Sequence, residues 1–442
     1  MRLHVLIDRR LMGVIEASTD GRVSFAYDDG WRMDDATFPL SLSMPKVARR
    51  YGGGVVSNWL WNLLPENPLI IQHIADDTSH GWKRVSPRNP LALLAKVGED
   101  CAGAIQLVLP ERADDITDGE ITWLSEEAVA VRLRELRENR ASTGRQAGDK
   151  GQFSLAGAQT KTALHFAGGM WGLPSGRMPT THILKPPIPG VKGQVENEHF
   201  YLRLAASLNI QSVNSEVMKF ENERAIVIER YDRLRLADGR VRRIHQEDMC
   251  QTLGLPPSRK YQENKGPGVY DILAKVLATS ADPAMDRDTF VRAVALNYVL
   301  AGTDAHAKNF SVLFGRGAAY RLAPIYDVNS YLPYAQNVDT SKLSMSVDGH
   351  SAIGRILPRH WRAQARACGL REDLWVSTIR DIVARTPDLA SDVLRGCREA
   401  NLEHEVLSEL ADTIAARCEA LAGIYGTEAE SIPSITTAVA RL

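Results

Sequence analysis

Asp304 and Asn309 stand five positions apart in the run Ala301-Gly302-Thr303-Asp304-Ala305-His306-Ala307-Lys308-Asn309-Phe310. Just upstream, Val291, Val294, Ala295, Tyr298, Val299 and Gly302 recur at helical spacing. That pattern predicts a buried helix over residues 290–302 that runs straight into Thr303-Asp304. The combination constrains the fold: a core helix has to deliver a short polar loop with a carboxylate and an amide at its mouth. Such a carboxylate can accept a hydroxyl proton, and such an amide can help hold a hard cation. Phosphoryl transfer asks a loop for these two tasks. Taken alone, D-x-x-x-x-N arises by chance in most chains of this length, so the argument rests on what accompanies it.

Three further parts complete the chain order of a kinase. Phe153-Ser154-Leu155-Ala156-Gly157-Ala158-Gln159-Thr160-Lys161 is a small-residue loop able to cover phosphates, and Thr181-His182-Ile183-Leu184-Lys185 is a β-type run ending in a lysine. The catalytic-loop pair comes next, then Leu322-Ala323-Pro324-Ile325-Tyr326-Asp327, an aspartate ending an apolar, strand-like segment. In this order Asp304 is the candidate base, and Asn309 and Asp327 the candidate magnesium ligands. Lys185 neutralises phosphate charge, while His306 and Lys308 contact the γ-phosphate or orient Asp304. Each residue also has a plain structural reading, Asp304 as a helix-end turn residue and Lys185 as a solvated strand-end lysine, but these fail jointly.

The chain of 442 residues has room for two or three domains, and its 24% charged residues are ordinary for a globular protein. A net charge of −1 gives no electrostatic case for nucleic acid as a primary ligand. The basic cluster Arg359-His360-Trp361-Arg362-Ala363-Gln364-Ala365-Arg366 reads as a solvated helix face. Five scattered cysteines without a C-x-x-C pair fit a reducing compartment, and the eleven histidines show no ligand spacing. No apolar stretch approaches the roughly 18 residues of a membrane span, and the short apolar N-terminal run is broken by Asp8. A cytoplasmic protein without a membrane partner is expected.

Along the chain, residues 1–110 mix short strands with glycine turns and carry an apolar helical piece around Trp59–Leu64. The acidic stretch Glu111–Glu120 reads as a boundary loop, residues 127–138 as an amphipathic helix, and Glu138–Gln152 as a polar, mobile segment. Lys161–Phe166 with Gly168-Gly169 predicts a strand entering a hairpin. Residues 196–208 predict a helix with Tyr201, Leu204, Ala205 and Leu208 on its apolar face. Glu198 lies three before Tyr201, hence inward, where it either holds the strand lysine or serves as a half-buried helix-start carboxylate. After Tyr231 the pattern turns helical, and residues 372–425 are nearly all helical. The expected class is α+β, a two-lobed protein-kinase-like fold. It has a β-rich N-terminal lobe, an extra N-terminal subdomain and an all-helical C-terminal lobe. Boundaries are drawn at 1–126, 127–235 and 236–442.

There is no G-x-x-x-x-G-K-[ST] and no G-x-G-x-x-G; Gly315-Arg316-Gly317-Ala318-Ala319-Tyr320 fails at its last position. The phosphate loop therefore departs from that of ordinary protein kinases. The chain instead resembles, over essentially its whole length, the HipA-type toxin serine/threonine kinases of bacterial toxin–antitoxin modules. The resemblance is carried by Pro39–Pro45, Asn62-Leu63-Leu64-Pro65-Glu66-Asn67-Pro68, Ser154–Leu164, Ile228–Arg233, His245–Gly254, Thr303–Phe310 and Pro324–Asp327.

That resemblance implies roles that spacing does not give. Ala156, Gly157, Ala158, Gln159, Thr160 and Lys161 would form the nucleotide phosphate loop. Glu229, Arg230 and Tyr231 would form the hinge that meets adenine through its backbone; from sequence they read only as a charged strand end. Tyr326 and Asp327 would contact nucleotide and metal, so that the cofactors are ATP and Mg2+. Ser154 would be a regulatory autophosphorylation site, because a phosphate of roughly −1.5 to −2 charge beside a phosphate-cradling loop should eject it. The implied substrate is an aminoacyl-tRNA synthetase, the glutamyl enzyme foremost, whose modification halts translation. The implied partner is a small helix-turn-helix antitoxin of the HipB type that carries the complex to operator DNA at the nucleoid. Two other readings remain: a silent kinase fold acting as corepressor with its antitoxin, and a metal-dependent phosphoesterase using Asp304, His306, Asn309 and Asp327.

Overall fold

The computed structural model describes residues 1–113, 119–139, 141–142, 144, 149 and 153–426. Residues 114–118 of the acidic stretch and most of the polar 138–152 segment lie outside the described residues.

Alternation along Arg2–Ile7 (β1) turns Leu3, Val5 and Ile7 to one face, where they are buried. β1 pairs antiparallel with Arg10–Ala17 (β2) and Gln106–Val108 (β5), and the sheet continues through Val23–Tyr27 (β3) and Arg50–Gly52 (β4) in the order β4-β3-β2-β1-β5. The helices Gly54–Leu63 and Pro90–Val97 close this core, the second started by Pro90 at its first position and by Asn89, whose side chain accepts the Ala92 amide at 3.1 Å.

The second sheet is built from Ile121–Leu124 (β6), Thr162–Ala167 (β7), Met170–Pro174 (β8), His182–Lys185 (β9), Ser215–Phe220 (β10) and Glu223–Glu229 (β11), in the order β10-β11-β9-β7-β8-β6. The expected hairpin joins β7 and β8, with Gly168 and Gly169 at φ 58° and 78°, left-handed conformations that a tight two-residue turn requires. β11 shows how one strand serves two cores. Ala225 and Val227 pack with Val129 and Leu133 of the Glu126–Glu138 helix, whereas Ile226 and Ile228 join the C-terminal core. Lys185 lies opposite Ile226 in the β9–β11 register, so the lysine shares the C-terminal face.

The helix predicted at 196–208 spans Gln194–Ser207 and follows Gly193, where a Cβ would lie 2.4 Å from a Val406 methyl. The helix predicted at 290–302 spans Pro283–Val299, with Val291, Ala295, Tyr298 and Val299 fully buried. It stops short because Ala301 takes a left-handed φ of 51° that turns the chain into the loop. Helices Leu374–Glu399 and Glu405–Tyr425 make the predicted helical tail.

The C-terminal half carries strands as well as helices, which the expectation of an all-helical lobe had not included. Arg233–Arg235 (β12) and Val241–Arg243 (β13) form a hairpin, and Gln246–Asp248 (β14), Ser311–Phe314 (β15) and Tyr320–Leu322 (β16) form a three-stranded sheet. Lys342–Val347 (β17) and His350–Ala352 (β18) form a second hairpin. These strands run three to six residues, too short to display a period. The segment before Asp327 also differs from expectation. β16 ends at Leu322, and Ile325, buried in the C-terminal core, pairs with Ser212 in an isolated bridge.

Candidate active site

A cleft of about 550 Å³ opens beside the second sheet, and all sixteen residues read from the sequence as catalytic or cofactor-binding line it. At its centre the Lys185 ammonium donates to Glu198 Oε1 at 2.8 Å and to Asp327 Oδ1 at 2.7 Å. Glu198 is 0% exposed. Burial opposes the Lys185 ammonium, yet Asp327 and Glu198 outweigh it and raise its pKa. Burial likewise works against the Asp327 carboxylate, but Lys185 and Lys161 hold it well below the usual range. Burial raises the Glu198 carboxyl despite Lys185, so the charge balance is chiefly between Lys185 and Asp327. Of the two readings of Glu198, the lysine-holding one matches this geometry.

Asn309 joins the catalytic loop to the Asp327 segment. Its Nδ2 donates to the carbonyls of Asp304 at 2.9 Å and Asp327 at 3.1 Å, which leaves its amide oxygen uncommitted among the described residues. Asp327 has φ 56°, a left-handed conformation rare for a residue with a Cβ and sustained here by that hydrogen bond. Asn309 and Asp327 together offer only oxygen ligands, the donor set a hard cation takes. His306 is 5% exposed, its Nδ1 has no hydrogen-bond partner among the described residues, and burial lowers its pKa.

The phosphate-loop candidates curve over Lys185. Gly157 has φ 109°, its carbonyl accepts the Glu66 amide at 3.1 Å, and a Cβ there would lie 2.6 Å from Lys161 Nζ. Lys161 folds back to donate to the Ala156 carbonyl at 2.7 Å, and burial pushes its ammonium down to about 8. Gln159 reaches Pro186 and Gln194 at 3.3 Å each. Ser154 is 2% exposed; its hydroxyl donates to the Leu63 carbonyl at 2.7 Å and its amide to the Asp100 carbonyl at 3.0 Å.

At the far end the Tyr231 and Tyr326 rings stack at 5.5 Å, and the Tyr231 backbone amide has no partner among the described residues. The Glu229 carboxylate accepts from Asn214 at 3.0 Å, outside the ring stack.

Two side chains are committed differently from their sequence reading. Lys308 donates to Asn62 Oδ1, Asn62 O and Asp248, which occupies all three ammonium hydrogens and leaves none for a γ-phosphate. The Arg230 guanidinium is buried against Asp232, Thr180 and the Cys101 carbonyl, and its backbone amide bonds Thr181 O. It anchors the segment before Tyr231 from behind the cleft. Sequence reasoning also missed Glu66, Asp248, Lys260 and Asn329, all on the cleft wall, the last with a buried amide oxygen lacking a partner. No local pattern marks them, because each arrives from a different part of the chain.

Away from the cleft, Asp348, His350 and His360 bring ligand atoms within 4.8 Å, a grouping that histidine spacing did not reveal. The His360 ring nitrogens face the Leu357 amide and the Arg359 guanidinium at 3.2 Å each. A neutral imidazole has one free lone pair, and these donors already claim it.

With this geometry in view, comparison with known proteins is specific. The HipA N-terminal domain family model matches residues 3–108, and the HipA-like C-terminal domain model matches residues 153–390. The kinase-designated protein Y4mE of Sinorhizobium fredii is 35% identical over 421 residues, 94% of this chain and 97% of that protein. The serine/threonine-protein kinase toxin HipA of Shewanella oneidensis is 28% identical over 383 residues, 83% of each chain. A solved structure of Shewanella oneidensis HipA with HipB and its operator DNA superposes with a TM-score of 0.77 at 25% identity, covering 96% of this chain and 98% of that one.

Proposed function

Because the chain belongs to the HipA family of serine/threonine kinase toxins and is a kinase, we propose that its cleft binds ATP with Mg2+ and passes the γ-phosphate to a serine or threonine hydroxyl. The carrying observation is the Lys185 ammonium held between Glu198 and Asp327 at 2.8 and 2.7 Å. That arrangement places a cation, a carboxylate and an uncommitted amide oxygen around one space, as phosphoryl transfer requires. Lys185 and Lys161 meet the phosphates, Tyr231 and Tyr326 take the base, and the Tyr231 amide serves its edge. Asn309 and Asp327 would hold the Mg2+, which supplies charge neutralisation at the phosphate oxygens. Asp304 accepts the proton of the attacking hydroxyl, and His306, neutral, turns an open nitrogen to the cleft. Residues 1–126, 127–235 and 236–442 act as N-terminal subdomain, phosphate-binding lobe and catalytic lobe.

In this reading the protein substrate is an aminoacyl-tRNA synthetase, the glutamyl enzyme first, and the consequence is growth arrest through blocked translation. A HipB-type helix-turn-helix antitoxin neutralises it and brings it to operator DNA. The S. oneidensis HipA structure, which holds HipB and operator DNA, supports that part. Among the described residues no helix is long and apolar enough to cross a membrane. The reading places the kinase in the cytoplasm, at the nucleoid when antitoxin-bound.

Autophosphorylation at Ser154 would switch the enzyme off. Its hydroxyl donates to a carbonyl in a buried position, and a phosphate of roughly −1.5 to −2 charge has only acceptors to offer that carbonyl. The loop would have to leave, taking Gly157 and Lys161 with it. The test is incubation of dephosphorylated protein with Mg2+ and γ-labelled ATP, beside Asp304→Asn, with phosphopeptide mapping. Label on Ser154 in the wild type alone is the expected result. Absence of label from both would overturn the kinase reading in favour of a silent corepressor.

A further inference from the structure

Asp304 is exposed at the cleft mouth, where a carboxylate is free to rotate about its terminal torsion. It is nevertheless held by one oxygen: the Tyr261 hydroxyl donates to Asp304 Oδ1 at 2.7 Å. Oδ2 has no partner among the described residues. The tyrosine is held in turn. Its carbonyl accepts the amides of Asn264 and Gly266 at 3.0 Å each, and a Cβ on Gly266 would lie 2.1 Å from the Arg259 carbonyl, so the turn is closed tightly. The Lys260 carbonyl accepts the Ala307 amide at 3.1 Å, which docks the segment directly on the catalytic loop. The ring stands edge-on to His306 at 5.0 Å.

Lys260 extends this support to the opposite wall. Its ammonium sits 5.2 Å above the Tyr261 ring and pairs with Glu66 at 2.6 Å. Glu66 donates its amide to the Gly157 carbonyl of the phosphate loop at 3.1 Å. A continuous set of contacts thus runs from the phosphate loop through Glu66, Lys260 and Tyr261 to one oxygen of Asp304.

We propose that Tyr261 is a positioning residue, which fixes the Asp304 carboxylate by Oδ1 so that Oδ2 faces the acceptor hydroxyl. The inference rests on the kinase reading above. In the step it serves, the acceptor oxygen forms its bond to the γ-phosphorus, the bond from that phosphorus to the ADP oxygen breaks, and the hydroxyl proton passes to Oδ2. Tyr261 keeps its own proton throughout. Burial, the hydrogen bond to Asp304 and the charge of Asp304 raise its phenol far above the ordinary value, so it is a donor at every working pH.

The experiment compares full-length wild type, Tyr261→Phe, Asp304→Asn and the double variant for loss of γ-phosphate from labelled ATP with Mg2+. ATP affinity and melting temperature are measured alongside. Hydrogen bonds to charged groups predict that Tyr261→Phe lowers kcat by about ten- to a hundredfold. The KM for ATP and the melting temperature should stay put, and the substitution should cause no further loss in the Asp304→Asn background. A merely structural tyrosine would instead lower ATP affinity or melting temperature, or add its loss to that of Asp304→Asn, and any of these overturns the proposal. So does wild-type turnover in Tyr261→Phe. Wild-type protein that turns over no ATP defeats the kinase reading itself, and Tyr261 then has no step to serve.

Discussion

Glu247 is 0% exposed on β14, between Gln246 and Asp248, which both line the cleft. Its Oε1 accepts the Leu42 amide at 2.8 Å, while Oε2 has no hydrogen-bond partner among the described residues. Burial pushes the carboxyl from 4.5 up to about 8, with the Leu42 amide only partly offsetting it. At neutral pH the folded protein therefore binds a proton here that the unfolded chain has released. The native state holds more protons between those two values, so stability is fully present below pH 4.5 and falls as pH rises to about 8. At about 1.4 kcal/mol per pH unit, roughly 5 kcal/mol is lost across that window. Glu247→Gln replaces the acid with a group that cannot ionise and so removes this slope. The amide adds a donor without an acceptor, a constant penalty of about 1–3 kcal/mol that shifts the whole curve without tilting it. The assay is urea unfolding of both proteins at half-unit steps from pH 5 to 8.5. The difference in unfolding free energy should swing by several kcal/mol in favour of the variant as pH rises. Parallel curves would refute a protonated Glu247.

Three further outcomes follow from the cleft. Lys185→Met strands Glu198 in a fully buried position without its cation; loss of one partner of such a pair costs about 3–5 kcal/mol, and urea unfolding should show it together with ATP binding weakened at least about tenfold. Intact ATP binding would remove Lys185 from the site. Gly157→Ala must hold φ 109° and displace Lys161, a strain of about 1–3 kcal/mol. Calorimetric titration should show ATP affinity reduced by about tenfold with the fold retained. Lys161 titrates near 8 in the free protein because burial disfavours its charge, whereas bound phosphate demands the ammonium. ATP affinity should be flat below pH 8 and decline above it, with proton uptake on binding seen as a dependence of the binding heat on buffer ionisation enthalpy; affinity that is level to pH 9.5 would contradict it.

What the sequence made legible is what one stretch of chain carries by itself. The period of residues 290–302 located the core helix, and the β-type run ending at Lys185 located the strand that carries the lysine. The inward position of Glu198 followed from its distance to Tyr201. Less legible was the direction in which a polar side chain reaches. Lys308 sits in the catalytic loop as expected, yet Asn62 and Asp248 capture its ammonium, and neither is near it in sequence. Arg230 lines the cleft beside Tyr231, but its guanidinium turns to Asp232 and to Thr180. The short strands β12 to β18 escaped for a related reason: pairing partners remote in sequence define them, and their own residues are too few to show a period.

Several contacts that support the cleft come from one N-terminal stretch. Leu63 fixes the Ser154 hydroxyl, Asn62 fixes Lys308, Glu66 fixes both Gly157 and Lys260, and Leu42 fixes Glu247. Asp100 accepts from Arg233 and Arg243 and, through its carbonyl, from Ser154. Burial drives the Asp100 carboxyl upward, but the three arginines beside it, Arg243, Arg233 and Arg230, hold it far below the carboxylate range. The Gly103 amide meets Asp232 at 2.7 Å, so the same short N-terminal stretch reaches the hinge. All of these contacts run from residues 42–103 to segments that build or adjoin the cleft. The candidate phosphate loop, residues 156–161, lies outside the strands of the second sheet and is supported from outside, by the Glu66 amide on Gly157 and by the Leu63 and Asp100 carbonyls on the adjoining Ser154. Asn62, Glu66, Asn67 and Ala102 thus supply part of the cleft wall, and in the proposed reading a modification that moves Ser154 would reach the candidate phosphate loop through the same few residues.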